Sequence, residues 1–119
     1  MNVTWNGRFD LSESDILRLV LKKPGIYILW VRLQDKSWKA FYVGQADNLE
    51  KRLLAHVSDS EPNQCIRGHV KAHICSMHFA VVDHQQDRDG VEKYLFDSYS
   101  PECNMKDPGG RPVPVNLPQ

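Results

Sequence analysis

The sequence predicts one small α/β domain, of the α+β kind, in which helices cover a short sheet. Strand-like segments rich in β-branched and aromatic residues occur at residues 25–33, 38–43 and 73–82. The order of elements is helix, two strands, one or two helices, strand and helix, which predicts a short sheet that is either mixed or antiparallel. The length of 119 residues suits a single domain spanning residues 1–119.

The first predicted helix covers residues 12–23. Ser12 and Asp15 approximate a capping box at its start, and Pro24 follows its basic last turn. Two strands come next, separated by a polar turn at residues 34–37. They predict an antiparallel hairpin with a loop longer than two residues.

A second helix is predicted over residues 47–57, directly after the hairpin. Asp47 is the predicted N-cap, with Glu50 three residues further on. The apolar residues of this helix recur at helical spacing and form one stripe: Leu49, Leu53 and Val57. The stripe predicts the face that packs into the core.

The second half of the chain predicts two more helices and the third strand. The segments are a short helix at residues 65–71, a strand at 73–82, a polar turn at 85–90 and a last helix at 91–99. A proline-rich tail, residues 106–119, is expected to be either an extended edge segment or partly mobile.

Charge and cysteine content narrow the class of protein. Fifteen basic residues balance fifteen acidic ones, which argues against strong nonspecific binding of nucleic acid. The basic residues concentrate in the first half, which leaves room for a locally basic site. The three cysteines are odd in number and scattered, which predicts reduced thiols. No apolar run approaches the roughly 20 residues that span a bilayer, and the first residues do not resemble a signal peptide, so a cytoplasmic protein without a membrane anchor is expected.

Three polar residues follow one another at four-residue intervals on the second predicted helix: Asn48, Arg52 and His56. They form a line beside the apolar stripe and are therefore expected at the edge of a cleft. The planar guanidinium of Arg52 suits a phosphate because it donates two hydrogen bonds at once. The alternative is that this line is an ordinary solvated helix face.

An apolar arc on the last predicted helix contains one carboxylate. The arc is formed by Val91, Tyr94, Leu95, Phe96 and Tyr99. Glu92 falls inside it and needs a partner, because burying an unpaired carboxylate is costly. A metal ion or an arginine would satisfy Glu92. The alternative is a capping box that Asp89 begins and in which Glu92 takes the third helical position.

Two tyrosines, each close to a glycine, lie on the paired strands of the predicted hairpin. One strand carries Gly25-Ile26-Tyr27 and the other Tyr42-Val43-Gly44. A single strand tyrosine is usually a core or cross-strand residue, but the two glycines leave room for close approach. A phenol has an ordinary pKa near 10, so it acts as a base at neutral pH only beside a metal-held water or a cation.

These tripeptides resemble the two motifs that name the GIY-YIG nuclease superfamily. Further similarities concern the family's strand-to-helix segment, its histidine, its metal-ligand glutamate and its closing proline and asparagine. They correspond here to residues 45–53, His56, Glu92, Pro101 and Asn104. The match covers about residues 24–105, which is therefore the expected domain core.

The resemblance implies a three-stranded antiparallel sheet flanked by helices, and an endonuclease that hydrolyses phosphodiester bonds in DNA with one Mg²⁺ or Mn²⁺ ion. The implied catalytic residues are Tyr27, Tyr42, Arg52, His56 and Asn104, and the implied metal ligand is Glu92. One of the two tyrosines would accept the proton of the attacking water, and Arg52 would stabilise charge on the phosphate. His56 would orient a neighbouring group, and Asn104 would hold the tyrosine or the phosphate.

Substrate contacts are implied for Gly44, Gln45 and Asn48. Gln45 departs from the small hydroxyl or basic residue that many members carry, and Cys103 departs from their usual aliphatic residue. The neutral charge and Gln45 together leave an alternative, a catalytically inactive module of the same fold that binds nucleic acid or protein. RNA in place of DNA is a further variant. Targeting is expected to come from loops, the N-terminal helix, a partner protein or a homodimer.

Two other readings involve parts of the chain outside this set. Five residues close together in sequence could ligate zinc: Cys65, His69, His73, Cys75 and His78. They include no C-x-x-C pair, which structural zinc sites favour, so ordinary strand and surface histidines are expected instead. Residues 112–115 could dock on an aromatic groove or a sheet edge of another protein.

Overall fold

The computed structural model describes residues 1–118, which contain four strands and four helices; Gln119, the last residue of the predicted tail, lies outside the described residues. In chain order the elements are β1 (Asn6–Asp10), α1 (Glu13–Leu19), β2 (Gly25–Arg32), β3 (Trp38–Ala46), α2 (Leu49–Val57), α3 (Gln64–Ala72), β4 (Cys75–Val81) and α4 (Gln85–Tyr99). The strands form one antiparallel sheet in the order β1-β4-β2-β3. The α+β class is therefore confirmed. Within residues 1–118, none of the helices combines the length and apolar character required to cross a membrane.

The prediction of three strands is wrong, because β1 adds a fourth strand at the edge of the sheet. Asn6 lies opposite Phe79, and Asp10 lies opposite Ser76. The sequence of β1 lacks apolar alternation and is rich in residues that are depleted in strands. It becomes a strand because the backbone of β4 presents unpaired hydrogen-bonding groups along its open side.

Strand β2 lies inside the sheet, between β4 and β3, and separates two apolar cores. Side chains alternate across a strand, so Tyr27 and Leu29 belong to one core, whereas Ile26 and Ile28 belong to the other. Helices α1, α2 and α3 contribute to the first core, and α4 contributes to the second. Residues next to each other on β2 therefore face different helices.

The start of α2 differs from the sequence prediction. The helix begins at Leu49 with Asn48 as its N-cap, and Asn48 Oδ1 accepts the backbone N–H of Lys51 at 3.0 Å. Asp47, the predicted cap, instead forms an ion pair with Arg88 at 3.1 Å. Asp and Asn both cap helices well. The ion pair with Arg88 on α4 therefore explains why Asn48, and not Asp47, is the cap.

The predicted polar turn at residues 85–90 is wrong, because α4 covers Gln85–Tyr99. Buried Arg88 donates hydrogen bonds to the carbonyls of Val82 and Asp83, both at 2.9 Å. These bonds hold the chain that leads into the helix. Polar residues followed by a glycine are typical of a turn, so the sequence pattern at residues 85–90 does not indicate a helix. The buried contacts of Arg88 with the preceding carbonyls stabilise the helix there.

The expectation of reduced thiols is wrong for two of the three cysteines. Cys65 on α3 and Cys103 after α4 form a disulfide, with their Cα atoms 5.3 Å apart. Cys75 on β4 is a buried free thiol. The paired cysteines are separated by 38 positions in the sequence, so no local pattern indicates the bond.

The proline-rich tail forms neither helix nor strand over residues 106–118 and packs on its own chain. The Val113 N–H donates to the Gly90 carbonyl at 2.9 Å, and Val115 is buried in the core that α4 covers. Asn116 Oδ1 accepts the Val3 N–H at 2.7 Å, and Asn116 Nδ2 donates to the Val3 carbonyl at 3.0 Å. Of the segment suggested for docking on another protein, Val113 and Val115 thus pack within the chain, whereas Pro112 and Pro114 are exposed.

Candidate active site

The two predicted tyrosines stack on neighbouring strands. Tyr27 on β2 lies opposite Gly44 on β3, and the ring centroids of Tyr27 and Tyr42 are 6.2 Å apart. Tyr27 is fully buried, whereas Tyr42 is half-buried. A Cβ at position 44 would lie 2.5 Å from both Cζ and Oη of Tyr27. Gly44, predicted as a substrate contact, therefore serves to leave space for the phenol.

Tyr27 begins a buried chain of hydrogen bonds that ends on a carboxylate. Its hydroxyl lies 2.6 Å from His56 Nε2, and His56 Nδ1 lies 3.2 Å from Glu61 Oε2. An ionised Glu61 can only accept, so the proton of a neutral His56 lies on Nδ1, and Nε2 accepts the Tyr27 hydroxyl. Tyr27, His56 and Glu61 are 0%, 3% and 6% exposed, which excludes bulk water from the chain.

Glu61 is a site residue that the sequence analysis missed. Its second oxygen, Oε1, accepts the Asn63 N–H at 3.1 Å, and its carbonyl accepts Nη1 of Arg67 at 3.1 Å. It lies in the connection between α2 and α3, where an isolated acidic residue is ordinary. The only sequence signal is its position shortly after His56.

Electrostatics give the two tyrosines different properties. Burial, and then the neighbouring Tyr42, raises the pKa of Tyr27, and Arg52 opposes this effect. Burial lowers the pKa of His56, because it disfavours the charged imidazolium, whereas the charge of Glu61 raises it. The phenol of Tyr27 is thus protonated and His56 is neutral at pH 7, as the direction of the hydrogen bonds requires. A phenol with a raised pKa holds its proton firmly, so Tyr27 is the weaker candidate for a proton acceptor.

The polar line of α2 opens on a cleft of about 510 Å³. Its lining includes Gln45, Asn48, Lys51 and Arg52. Arg52 is exposed and forms no ion pair with any residue between positions 1 and 118. Interaction with Tyr27, and then with Tyr42, raises the pKa of Arg52, so its charge remains available to a ligand. The alternative of a simple solvated face is wrong for this helix, because His56 is buried.

Glu92 on α4 lines a second cleft, of about 350 Å³, together with Tyr42 and Asn104. Its carboxylate accepts a hydrogen bond from Gln45 Nε2 at 3.0 Å. Partial burial raises the pKa of Glu92, and no basic side chain of the described residues forms an ion pair with it. The capping-box alternative is wrong, since α4 begins at Gln85 and Glu92 lies well inside it.

Gln45 and Asn48, the other predicted substrate contacts, already have partners. Gln45 Nε2 donates to Asp89 at 2.8 Å as well as to Glu92, and Gln45 Oε1 accepts from Gln85 at 2.7 Å. Asn48 uses its oxygen as the cap of α2. Both residues line the first cleft, and one of the contacts of Gln45 is with the Glu92 carboxylate.

Asn104 hydrogen bonds to the backbone of β3. Its Oδ1 accepts the Val43 N–H at 3.0 Å, and its Nδ2 donates to the Val43 carbonyl at 2.9 Å. The Asn104 amide thus pairs with both backbone polar groups of Val43, as a neighbouring strand would, at the residue next to Tyr42. In the structure Asn104 supports the strand that carries Tyr42, and its predicted role toward a tyrosine or a phosphate stays a prediction.

Five predicted side chains surround one region: Tyr27, Tyr42, Arg52, His56 and Glu92. The charges of Arg52 and Glu92 both act on the pKa of Tyr27, and Arg52 also acts on that of Glu92. Gln45 lines the first cleft and hydrogen bonds to Glu92 in the second, so the clefts adjoin. One concave surface thus carries an arginine, a carboxylate and an accessible phenol.

The residues considered as a zinc set do not come together as a group. Cys65 and His69 lie close to each other on α3. His78 faces the other side of the sheet, where its Nδ1 accepts the indole N–H of Trp30 at 2.9 Å. Cys75 is buried on β4.

Comparison with known proteins agrees with this fold. An antiparallel sheet flanked by helices, in which two strand tyrosines face a helix arginine and a glutamate, defines a domain of the GIY-YIG class. The family model of the UvrC-like GIY-YIG domain matches residues 23–105. The chain therefore belongs to the family of UvrC-like GIY-YIG domains.

Curated relatives are much longer than this chain. The UvrABC system protein C of Dictyoglomus thermophilum is 29% identical over 102 residues, which make up 83% of this chain and 16% of that protein. The protein of the same name from Methanococcus maripaludis is 32% identical over 84 residues, or 71% of this chain and 15% of that protein. The chain thus spans about 15% of the length of such relatives.

A solved structure shares the fold. The GIY-YIG N-terminal endonuclease domain of UvrC from Thermotoga maritima, bound to its catalytic divalent cation magnesium, aligns with a TM-score of 0.57 at 22% identity. The alignment covers 77% of this chain and 93% of that domain.

Proposed function

We propose that the chain is a divalent-metal-dependent endonuclease that hydrolyses phosphodiester bonds in DNA with one bound ion. The observation that supports this most is the convergence of Tyr42, Arg52 and Glu92 on two adjoining clefts. Phosphodiester hydrolysis needs a proton acceptor, a cation that binds the phosphate and a ligand for the metal ion. These three side chains supply one of each.

Glu92 suits Mg²⁺ or Mn²⁺ in its chemistry and its surroundings. A carboxylate oxygen is the ligand type that these hard cations prefer. Within the described part of the chain, its negative charge has a hydrogen bond from Gln45 but no basic partner. The cleft of about 350 Å³ beside it leaves space for the waters that Mg²⁺ retains. The bound ion would supply a more acidic water and stabilise charge on the phosphate.

Tyr42 is the proposed proton acceptor. It is half-buried and lines the cleft that contains Glu92, whereas burial keeps Tyr27 protonated. Tyr27 would fix the floor of the site through its hydrogen bond to His56. Arg52 would donate two hydrogen bonds to the phosphate and stabilise the charge that develops there.

A nucleic-acid substrate is compatible with a chain of zero net charge because the basic groups are local. Lys51 and Arg52 line the first cleft, and Lys106 lines the second. Such a small cationic area binds a backbone weakly and depends on salt. We therefore propose that a partner protein or a second copy of the chain supplies targeting, since the chain spans only about 15% of the length of its longer relatives. The proposal includes a cytoplasmic location.

Cleavage assays with end-labelled substrates test the proposal. Duplex, branched and single-stranded DNA, and RNA of the same sequence, are incubated with Mg²⁺ or Mn²⁺. We expect Glu92→Gln and Arg52→Ala each to lower the cleavage rate by about 10²–10³-fold. Glu13→Gln and Arg18→Ala, on the exposed face of α1, are matched controls that should retain wild-type rates.

The outcomes separate this function from an inactive binding module, which the neutral charge favours. Cleavage of RNA but not DNA would correct the substrate. Equal rates for wild type and Glu92→Gln would exclude a nuclease centred on Glu92. Binding of DNA without cleavage in either metal, together with loss of binding in Arg52→Ala, would instead support the binding module.

A further inference from the structure

Four side chains of metal-binding type lie together outside the proposed active site. Cys65 and His69 occupy successive turns of α3, and Glu102 and Cys103 follow each other after α4. One ligand atom from each residue lies within 4.8 Å of all the others. We call these four residues the C2HE cluster. Cys65 and His69 are close together in the sequence, whereas Glu102 and Cys103 reach α3 only through the fold.

The donor set of the C2HE cluster is that of a structural zinc site. Two thiolates, an imidazole and a carboxylate are ligands that Zn²⁺ takes in tetrahedral geometry. With Zn–S bonds of about 2.3 Å, tetrahedral ligand atoms lie roughly 3–4 Å apart. In the C2HE cluster no pair of ligand atoms is more than 4.8 Å apart. Binding requires the wider pairs to contract, and it requires the two bonded sulfurs and the His69–Glu102 pair to move apart to this range. His69 Nε2 already contacts the Glu102 carboxylate, and the other ring nitrogen is buried.

In the described protein the two sulfurs are bonded to each other and cannot act as thiolates. Reducing compartments keep such thiols reduced through glutathione and thioredoxin. We propose that a dithiol reductant opens the Cys65–Cys103 disulfide and that the C2HE cluster then binds one Zn²⁺. The dithiol becomes a disulfide as its two hydrogens pass to the cysteine sulfurs. Zinc binding then releases these two protons as the thiolates form bonds to the metal.

The surrounding backbone is held without the disulfide. The Cys103 N–H donates to the Phe41 carbonyl at 2.8 Å, and the Cys103 carbonyl accepts Asn63 Nδ2 at 3.0 Å. Asn63 also caps α3 with its Oδ1. The cysteine on each side of the cluster therefore keeps its place when the sulfur–sulfur bond opens. Zinc would replace one cross-link between α3 and the segment leading to Asn104 with another.

The third cysteine is excluded from the cluster by its environment. The Cys75 thiol donates to the His69 carbonyl at 3.4 Å and is not among the ligand atoms of the C2HE cluster. It therefore faces backbone carbonyls and not the C2HE cluster. This makes Cys75 a matched control of the same residue type a short distance away.

Titration with Co²⁺ tests the inference in the full chain. The protein is reduced with a phosphine, which competes weakly for metal, and Co²⁺ is added alone. We expect one equivalent to produce the thiolate-to-cobalt charge-transfer band and the visible bands of a tetrahedral site. Zn²⁺ should displace Co²⁺ and bleach both. The oxidised protein should show neither band.

Variants locate the site. Cys65→Ser and Cys103→Ser should abolish the charge-transfer band, and Glu102→Gln, whose side chain is exposed, should lower metal affinity on the order of 10–100-fold without disturbing the fold. Cys75→Ser and Glu92→Gln should retain the full band. The latter separates this site from the proposed active site, which contains no cysteine.

Two results would overturn the inference. One is a reduced, folded wild-type protein that gives no thiolate-to-cobalt band. The other is a band that survives Cys65→Ser or disappears in Cys75→Ser. Circular dichroism of each reduced variant confirms that a lost band does not reflect unfolding, and Glu102→Gln provides the test if the cysteine variants do not fold.

Discussion

The absence of a side chain at Gly44 leaves the space that the Tyr27 ring occupies in the candidate site. The α-carbon of Gly44 lies directly against the phenol, on the strand that also carries Tyr42. The motif that ends in this glycine is thus explained by packing, because a methyl group would occupy the space of the ring. The same contact places the Tyr27 hydroxyl within reach of His56.

The substitution Gly44→Ala tests this explanation. The new Cβ would lie 2.5 Å from the Tyr27 hydroxyl oxygen, so the phenol must move and the hydrogen bond to His56 must break. We expect a stability loss of about 1–3 kcal/mol and a cleavage rate lowered about 100-fold. Urea unfolding and the end-labelled cleavage assay measure the two effects.

Gly68→Ala is the matched control. Gly68 is exposed in the interior of α3, and no atom would approach its Cβ within 4 Å. Replacing a helix-interior glycine with alanine should stabilise the protein by about 0.5–1 kcal/mol and leave cleavage unchanged. Equal effects of both substitutions would contradict the packing explanation.

Buried histidines make the stability of the protein depend on pH. Burial, and then the charge of Arg8, lowers the pKa of His78 from 6.5 to about 4, and burial also lowers that of His56. The unfolded chain therefore binds more protons than the folded chain between pH 6.5 and about 4. Stability should fall as pH falls through this window, and should not change on this account above it.

Urea midpoints at pH 7.5, 6 and 5 measure this dependence. In His78→Gln the decline between pH 7.5 and 5 should be smaller than in wild type, because one of the two buried rings is absent. His84→Gln, at an exposed position before α4, should decline like wild type. A steeper decline in His78→Gln would show that another group controls acid unfolding.

At the scale of elements, neighbouring structure decides where α2 begins. Asn and Asp are about equally favoured as N-cap residues, so residue type does not distinguish Asn48 from Asp47. The Asp47 carboxylate forms an ion pair with Arg88 on α4. The Asn48 side chain, by contrast, accepts the Lys51 N–H and caps the helix. The first turn of α2 and the polar line that follows depend on this choice.

Alanine substitutions distinguish the two residues. Asn48→Ala should lower the free energy of unfolding by about 1 kcal/mol through loss of the cap. Asp47→Ala should cost less than about 0.5 kcal/mol, since the Asp47 side chain is 93% exposed and Arg88 keeps its bonds to the chain before α4. Thermal unfolding of both variants measures the difference, and a larger effect of Asp47→Ala would contradict the assignment.

Strand β1 forms because it pairs with the edge of β4, and not because of its own residue types. Its five residues have little strand propensity, yet Asn6 and Asp10 pair with β4. With β1 in place, the open edge of β4 is covered and β2 is flanked on both sides by paired strands.

At the scale of the whole molecule, the two ends of the described chain close on each other. Asn116 forms two hydrogen bonds with Val3, and its carbonyl accepts the indole N–H of Trp5 at 2.7 Å. Val115 next to it is buried. The tail thus contributes to the fold and holds the segment that leads into β1.

Asn116→Ala should loosen both ends. Loss of two exposed side-chain hydrogen bonds should lower the free energy of unfolding by about 1–2 kcal/mol. Hydrogen exchange should become faster in β1 and in the tail but not in β2, because the inner strand keeps its partners. Asn2→Ala, at an exposed position beside Val3, is the control, and equal exchange in both variants would contradict the contact.

The sequence by itself determined the parts of this protein that are encoded over short distances. The β2–β3 hairpin and the stripe of α2 follow from the spacing of residue types along consecutive turns or pleats. The positions of Arg52 and His56 beside the core stripe, and of Glu92 within an apolar arc, follow from the same periodicity. These residues were predictable because each belongs to an element whose pattern repeats locally.

Only the tertiary structure decided the features that join distant segments. Strand β1 depends on β4, and the role of Asn104 depends on the β3 backbone. Glu61 becomes part of the site because the turn after α2 returns it to His56. Cys103 meets Cys65 across 38 positions. Each of these contacts arises when folding brings the partners together, and no periodicity in the sequence records a partner that lies elsewhere in the chain.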